Sequence, residues 1–197
     1  MSDIVVATNP FKSSFERAFE QKIDVLYDDL SKIYAAKLVI FTGGADINPE
    51  IYNQKNTYSY FDVKRDEAEL LALRFALKLD KKILGVCRGH QLVNAYLGGE
   101  LVQDIWRDLN QYHGTGHKLV FTKQDSLIKR MFKKVNSLHH QGVTKAGKGL
   151  IPTSEHKGVI ESCESKNVIT VQFHPEFMTW SQEAGEFFKF INNWKES

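Results

Sequence analysis

Cysteine is nearly missing from this chain. Of 197 residues only Cys87 and Cys163 carry a thiol, so no disulfide framework is available and a reducing cytoplasm is the expected location. Net charge is nearly missing too: 26 Lys and Arg against 24 Asp and Glu leave a formal +2, and the basic residues are scattered. That removes the basic stripe on which nucleic-acid binding depends. No apolar run approaches the ~20 residues needed to cross a bilayer, so no membrane partner is expected. Met1 to Pro10 contains Asp3 and lacks a basic segment followed by a long apolar one, so no signal peptide is expected. Repeats, low-complexity tracts and linkers are also lacking. With 42% hydrophobic residues, the length suits one globular domain over 1–197 with a sizeable core.

What is present alternates strand and helix patterns. Ile4 to Ala7 and Leu38 to Thr42 are compact, β-branched runs that predict buried strands, with a weaker one at Asp24 to Tyr27. Ser13 or Ser14 can cap a helix running to Ile23, with Phe15, Ala18 and Phe19 on one face. The polar stretch from Ala45 to Asp62 reads as a surface loop. Val63 to Leu79 follows as an amphipathic helix whose stripe is Ala68, Leu71, Ala72, Phe75 and Leu79. The second half holds short apolar runs at 119–122, 135–139, 150–155, 158–162 and 168–173. Most lie too close together for intervening helices, so some must pair antiparallel. A last helix spans about Ser181 to Trp194. The fold class is α/β: a three-layer, flavodoxin-like, mostly parallel sheet flanked by helices, with an antiparallel extension.

Gly85-Val86-Cys87-Arg88-Gly89 joins the apolar run Ile83 to Val86 to an amphipathic stretch, Gln91 to Leu97. Strand, glycine-flanked turn and helix are the context of a nucleophile elbow. A cysteine there stands at a helix N-terminus, whose dipole favours thiolate over thiol. His174-Pro175-Glu176 closes a later strand and offers an imidazole base with a carboxylate to orient it. Cys87, His174 and Glu176 together predict acyl transfer through a thioester. Taken singly, a cysteine after a strand is more often an inert buried residue, and Cys163 is read that way or as exposed.

The remaining histidines invite a metal reading, which their spacing argues against. His113 and His117 are four apart, but the two glycines between them oppose a helix that would put both on one face. His139 and His140, if on a strand, point to opposite sides. No cysteine or carboxylate nearby in sequence completes a set, so neither metal nor organic cofactor is expected.

These residues resemble the class I glutamine amidotransferase superfamily, and within it the free-standing γ-glutamyl hydrolases that cleave γ-glutamyl-γ-aminobutyrate. The resemblance covers nearly the whole chain. It is carried by Thr42-Gly43-Gly44-Ala45-Asp46-Ile47-Asn48-Pro49 with Tyr52, by Arg65-Asp66 with Glu69, and by the elbow continuing through Asn94, Gly98 to Leu101 and Asp104. Val135 to Gln141 and Val171 to Glu176 complete it. Two departures stand out: the chain is compact for that group, and position 42 is Thr where many relatives have Pro.

The resemblance implies an oxyanion hole from the main-chain N–H groups of Gly44 and Arg88. It also implies glutamyl recognition by Gln91 and by the strand carrying His139, His140 and Gln141; the alternative role for Gln91 is only to satisfy buried backbone groups. The implied activity is hydrolysis of a γ-glutamyl amide, releasing glutamate and an amine or amidate. Candidate substrates are γ-glutamyl-γ-aminobutyrate and, since similar compact lysine-rich proteins occur in capsule phosphoramidate clusters, γ-glutamyl-CDP-amidate. The competing reading is a glutaminase subunit that passes ammonia to a synthetase partner; a non-catalytic binding module is a third. The Asp46, Pro49 and Tyr52 loop favours the stand-alone hydrolase with a small-molecule substrate and no obligate synthetase partner, and leaves a homo-oligomer open.

Overall fold

The computed structural model describes residues 2–113 and 116–197. The first half alternates β1 (Ile4–Val6), α1 (Lys12–Phe19), β2 (Asp24–Val25), β3 (Leu38–Phe41), α2 (Val63–Lys78), β4 (Lys82–Val86) and α3 (Arg88–Tyr96). Short elements follow: β5 (Glu100–Val102), α4 (Ile105–Leu109), β6 (His117–Lys118), β7 (Val120–Phe121), α5 (Leu127–Met131), β8 (Lys134–Val135) and β9 (Gly142–Lys145). The chain then forms β10 (Ile151–His156), β11 (Val159–Glu164), β12 (Val168–Val171) and α6 (Gln182–Trp194).

The sheet runs β2-β1-β3-β4-β12-β11-β10-β7, with β9 pairing β11 and β5 pairing β9. The first five strands of that order are parallel and the rest antiparallel, as the α/β expectation required. Alternate side chains of each strand face opposite helical layers. Ile4, Val6, Leu38, Ile40, Leu84 and Val86 pack against Phe15 of α1 and Phe187, Phe188 and Ile191 of α6. Val5, Ala7, Val39, Phe41 and Ile83 pack against Ala72, Leu73 and Ala76 of α2 and Leu92 and Val93 of α3. Fully burying such a side chain contributes about 1.5–3 kcal/mol, so the two faces together fix the stacking. Among the described residues no helix is long and apolar enough to cross a membrane.

Three expectations change. Helix α1 begins at Lys12 behind a left-handed Phe11 and stops at Phe19, where Glu20 turns left-handed, so neither Ser13 nor Ser14 is its cap. Helix α2 does bury a stripe, but it is Arg65, Asp66, Glu69, Ala72, Leu73 and Ala76, while Leu71 is 44% exposed. Counting apolar residues alone sets that face one position off, because its N-terminal half is charged. The 45–62 segment is not a plain surface loop: Ile47, Pro49 and Tyr52 are buried, and Pro49–Tyr52 forms a 3-10 turn.

Candidate active site

Strands β3, β4 and β12 are neighbours, and their carboxyl ends stop side by side, with Phe41 level with Gly85 and Val86 level with Val171. Ligand sites of open α/β sheets form at this edge. Thr42-Gly43-Gly44 leaves β3, Cys87 leaves β4 and His174 follows β12. The Thr42-Gly43-Gly44 loop and His174, 130 to 132 positions apart in the chain, are thereby brought to one sheet edge by strand order alone.

Cys87 has φ 52° and ψ −105°, a conformation a side-chain-bearing residue rarely adopts. Its N–H donates to the Val171 carbonyl at 2.8 Å, which helps hold that turn. Two residues on, a Cβ at Gly89 would stand 2.1 Å from the Phe41 carbonyl oxygen, so only glycine lets α3 start this close to the sheet. Strain held by its surroundings at a helix N-terminus is the pattern of a nucleophile elbow.

His174 Nδ1 lies 2.6 Å from Glu176 Oε1, and Glu176 is 2% exposed. The ring stacks on Phe177, with centroids 4.9 Å apart, and meets Phe11 edge-on. Burial alone would lower the His174 pKa, but Cys87 and Glu176 against the ring push it up to about 10. Asn136 clamps the main chain: its Oδ1 accepts from His174 N–H and its Nδ2 donates to His174 C=O, each at 2.8 Å. This clamp also explains why the expected strand 135–139 shrinks to Lys134–Val135. Asn136 stands in the motif read from the sequence, yet nothing in that reading distinguished its side chain from a strand residue.

Beneath the elbow lies a buried ion network. The Arg88 guanidinium, 1% exposed, donates to Asp66 and Glu69. Glu69 also accepts from the Thr8 hydroxyl and, at 2.9 Å, from Arg65 Nε. Arg65 Nη2 donates to Gly43 C=O at 2.8 Å, and Asp66 accepts from Asn48 N–H at 2.9 Å. The network therefore ties the glycine loop after β3 to the elbow after β4. Sequence reasoning used Arg65, Asp66 and Glu69 only as a motif and Arg88 only for its main chain; the burial of the three α2 residues on one helix face was not read.

Gly44, Asp46, Cys87, Arg88, Gln91, Leu138, His139, His140 and Gln141 line one cavity of about 40 Å³. All the sequence-predicted site residues except His174 and Glu176 thus share a wall with Cys87. Across the mouth, His140 Nε2 meets Asp46 Oδ1 at 2.8 Å, and this contact raises the His140 pKa despite partial burial. The Gln91 amide is tied inward, donating to Gln172 Oε1 at 3.1 Å and Gln141 C=O at 3.3 Å. Gln141 Nε2 donates to Ser59 Oγ at 2.7 Å, leaving its Oε1 buried without a partner among the described residues. A larger cavity of about 610 Å³ lies along β1, α1 and α2. It shares Arg65 with the network but does not reach Cys87, and Lys12, Lys32, Lys64 and Arg65 there are offset by Asp24, Asp28 and Asp62.

His139 departs from expectation. Its ring turns from the cavity: Nδ1 bonds Gln141 C=O at 2.9 Å and Nε2 lies 3.8 Å from Glu161. His140 does point the other way, although neither residue is on a strand. The spacing argument against a histidine cluster also fails, because Glu161 and His156 arrive from β11 and β10 beside His113, His117 and His139. Gly114 and Thr115, within that segment, lie outside the described residues. Cys163 is fully buried on β11, where burial pushes its thiol up to about 12.

Residues 28–176 match the Peptidase C26 family. The chain belongs to that family. Over 162 residues it is 36% identical to the glutamine amidotransferase-like protein YvdE of Lactococcus lactis, covering 74% of this chain and 67% of that one. It is 31% identical over 157 residues to the glutamine-hydrolyzing GMP synthase of Petrotoga mobilis, covering 77% of this chain but 27% of the synthase. The first four curated relatives are spanned over 61–67% of their length. Among solved structures, the glutaminase domain of Trypanosoma brucei CTPS with bound acivicin superposes with TM-score 0.68 at 15% identity, covering 98% of this chain and 93% of that domain. A glutamine amidotransferase of Thermotoga maritima gives 0.66 at 13%, covering 96% and 84%. At such identities these structures establish the fold alone.

Proposed function

We propose that this C26 member is a stand-alone hydrolase that cleaves a γ-glutamyl amide through a glutamyl thioester on Cys87. The observation that carries the proposal is the meeting of the strained Cys87 turn with a His174 imidazole already paired to Glu176 at 2.6 Å. The Cys87 thiolate attacks the γ-carbonyl, and its C–O π pair moves onto oxygen. The first amide of α3, at Arg88, has no acceptor within the helix and is offered to that oxyanion together with Gly44 N–H. Each such donor contributes about 3–4 kcal/mol in comparable sites. Collapse breaks the C–N bond as the His174 imidazolium protonates the departing nitrogen. Neutral His174 then takes a proton from water, whose oxygen displaces Cys87 and releases glutamate. Glu176 keeps Nδ1 protonated throughout, so Nε2 is the nitrogen that exchanges the proton.

The α-amino and α-carboxylate groups of the glutamyl end are assigned to the wall of Gln91, His140 and Gln141. His139 contributes main chain and position there, not a ring nitrogen. Both γ-glutamyl-γ-aminobutyrate and γ-glutamyl-CDP-amidate present the same acyl half, and the leaving group is assigned to the segments 45–62 and 108–113. The test is glutamate release by the isolated protein from a panel of γ-glutamyl amines and γ-glutamyl phosphoramidates, set against free glutamine. At least one panel member should exceed glutamine in kcat/KM by about tenfold or more, since buried polar groups left unpaired cost about 1–3 kcal/mol each. Glutamine as best substrate, or activity that needs an added synthetase, would replace this reading with the glutaminase subunit.

A further inference from the structure

The geometry points to a second site in this chain: we propose that His113, His117, His139 and Glu161 bind one divalent ion of the zinc class. Glu161 sits on β11 with its side chain fully buried, and no lysine or arginine pairs with it among the described residues. Three imidazoles surround it instead. His113 Nε2, His117 Nε2 and His139 Nε2 stand 3.2, 3.4 and 3.8 Å from Glu161 Oε1. Bonds of about 2.0–2.2 Å to a tetrahedral ion separate neighbouring ligand atoms by about 3.3–3.6 Å, and the three distances bracket that edge.

Hydrogen bonding alone leaves the cluster unsatisfied. Only His113 makes a well-directed bond to the carboxylate, at 3.2 Å. Among the described residues, His117 Nε2, His139 Nε2 and Glu161 Oε2 are buried with no partner. Buried polar groups of native proteins are almost always paired, so an unpaired set converging on one point calls for a ligand.

The protonation chemistry agrees. His139 Nδ1–H donates to Gln141 C=O at 2.9 Å, which leaves the Nε2 lone pair facing Glu161, and backbone carbonyls fix ligand tautomers in this way. His156 stacks on His117 with centroids 4.0 Å apart, and the ligand atoms of His113, His117 and His156 lie within 4.8 Å of one another, so a further nitrogen stands at the rim. Imidazole with one carboxylate suits zinc and its neighbours better than the all-oxygen shells of calcium or magnesium.

The ion would be structural. It would bolt the segment carrying His139, His140 and Gln141, one wall of the Cys87 cavity, to β11 and to His113 and His117. The Ser137 hydroxyl already donates to His113 C=O along the same seam.

The test is zinc titration of chelator-stripped full-length protein against a chromophoric chelator, with metal content by mass spectrometry and thermal melting as independent readouts. Saturable binding of about one ion per chain is expected in the wild type and in Cys87→Ala alike. Glu161→Gln and His113→Ala should each weaken binding at least about a hundredfold, beyond what loss of an outer partner does, and abolish the rise in Tm on adding zinc. Absence of saturable binding to the wild type overturns the site whatever the variants do, as does unchanged affinity in both folded variants. Loss of glutamate release in Cys87→Ala with ion binding retained separates this site from the proposed hydrolase reaction.

Discussion

Replacing Glu176 by Gln changes one charge and almost no volume, so it tests the orienting role with little structural cost. In the folded protein His174 titrates near 10 against an ordinary 6.5. At 1.36 kcal/mol per pKa unit that is a preference of roughly 5 kcal/mol for the imidazolium. Burial opposes this rise and the Cys87 and Glu176 contacts produce it, so removing the Glu176 charge lowers the His174 pKa. Losing a buried hydrogen bond between charged groups, at the upper end of about 1.5–3 kcal/mol, slows steps passing through the imidazolium by roughly a hundredfold. If the Gln amide presents its N–H to Nδ1 and reverses the tautomer, the loss approaches about ten-thousandfold. Glu176 Oε2 has no partner among the described residues, so the new NH2 breaks no existing bond there. Steady-state glutamate release should show kcat falling by about 10²–10⁴ with KM changed less than about threefold, and the alkaline limb moving to lower pH. A change confined to KM would refute the reasoning and put Glu176 in the substrate pocket.

Gly43→Ala should cost at least about a hundredfold in kcat, because its Cβ would stand 2.5 Å from His174 Cε1; steady-state kinetics on folded protein check it. Asn136→Ala removes both 2.8 Å bonds to the His174 main chain and should destabilise the protein by about 1–3 kcal/mol in urea unfolding while lowering kcat more than it raises KM. Arg88→Met leaves the buried carboxylates of Asp66 and Glu69 without their shared cation, and thermal melting should report a loss of about 3–5 kcal/mol. Since folding raises the His174 pKa, its stabilising contribution is complete below about 6.5 and is lost as pH climbs through about 10; denaturant unfolding should show this alkaline loss, reduced in Glu176→Gln.

The parallel half of the sheet was legible because β1, β3 and β4 are continuous apolar runs, and the elbow because Gly85, Cys87 and Gly89 sit where a strand pattern becomes a helix pattern. The family resemblance pointed to the same triad, whose Cys87 follows β4 and whose His174 follows the paired strand β12. Elements β5, β9, α4 and α5 were not seen, since three to five residues hold too little of either period to register. The ion network was only half legible: Arg65, Asp66 and Glu69 stood in the motif that carried the resemblance, but an apolar stripe does not show that charged residues are buried, and their burial is what lets Arg88 sit inside the protein. The histidine cluster was invisible for a different reason. His113 and Glu161 are 48 residues apart, and only the antiparallel return of β11 brings them together.

The central claim concerns the covalent bond at Cys87. Rapid acid quenching of the isolated protein during turnover of a γ-glutamyl amide, followed by intact and peptide mass spectrometry, tests it most directly. The account predicts a glutamyl adduct on the peptide containing Cys87, accumulating in a burst and lost in Cys87→Ala together with glutamate release. Undiminished glutamate release by Cys87→Ala, or an adduct on any other residue, would contradict it.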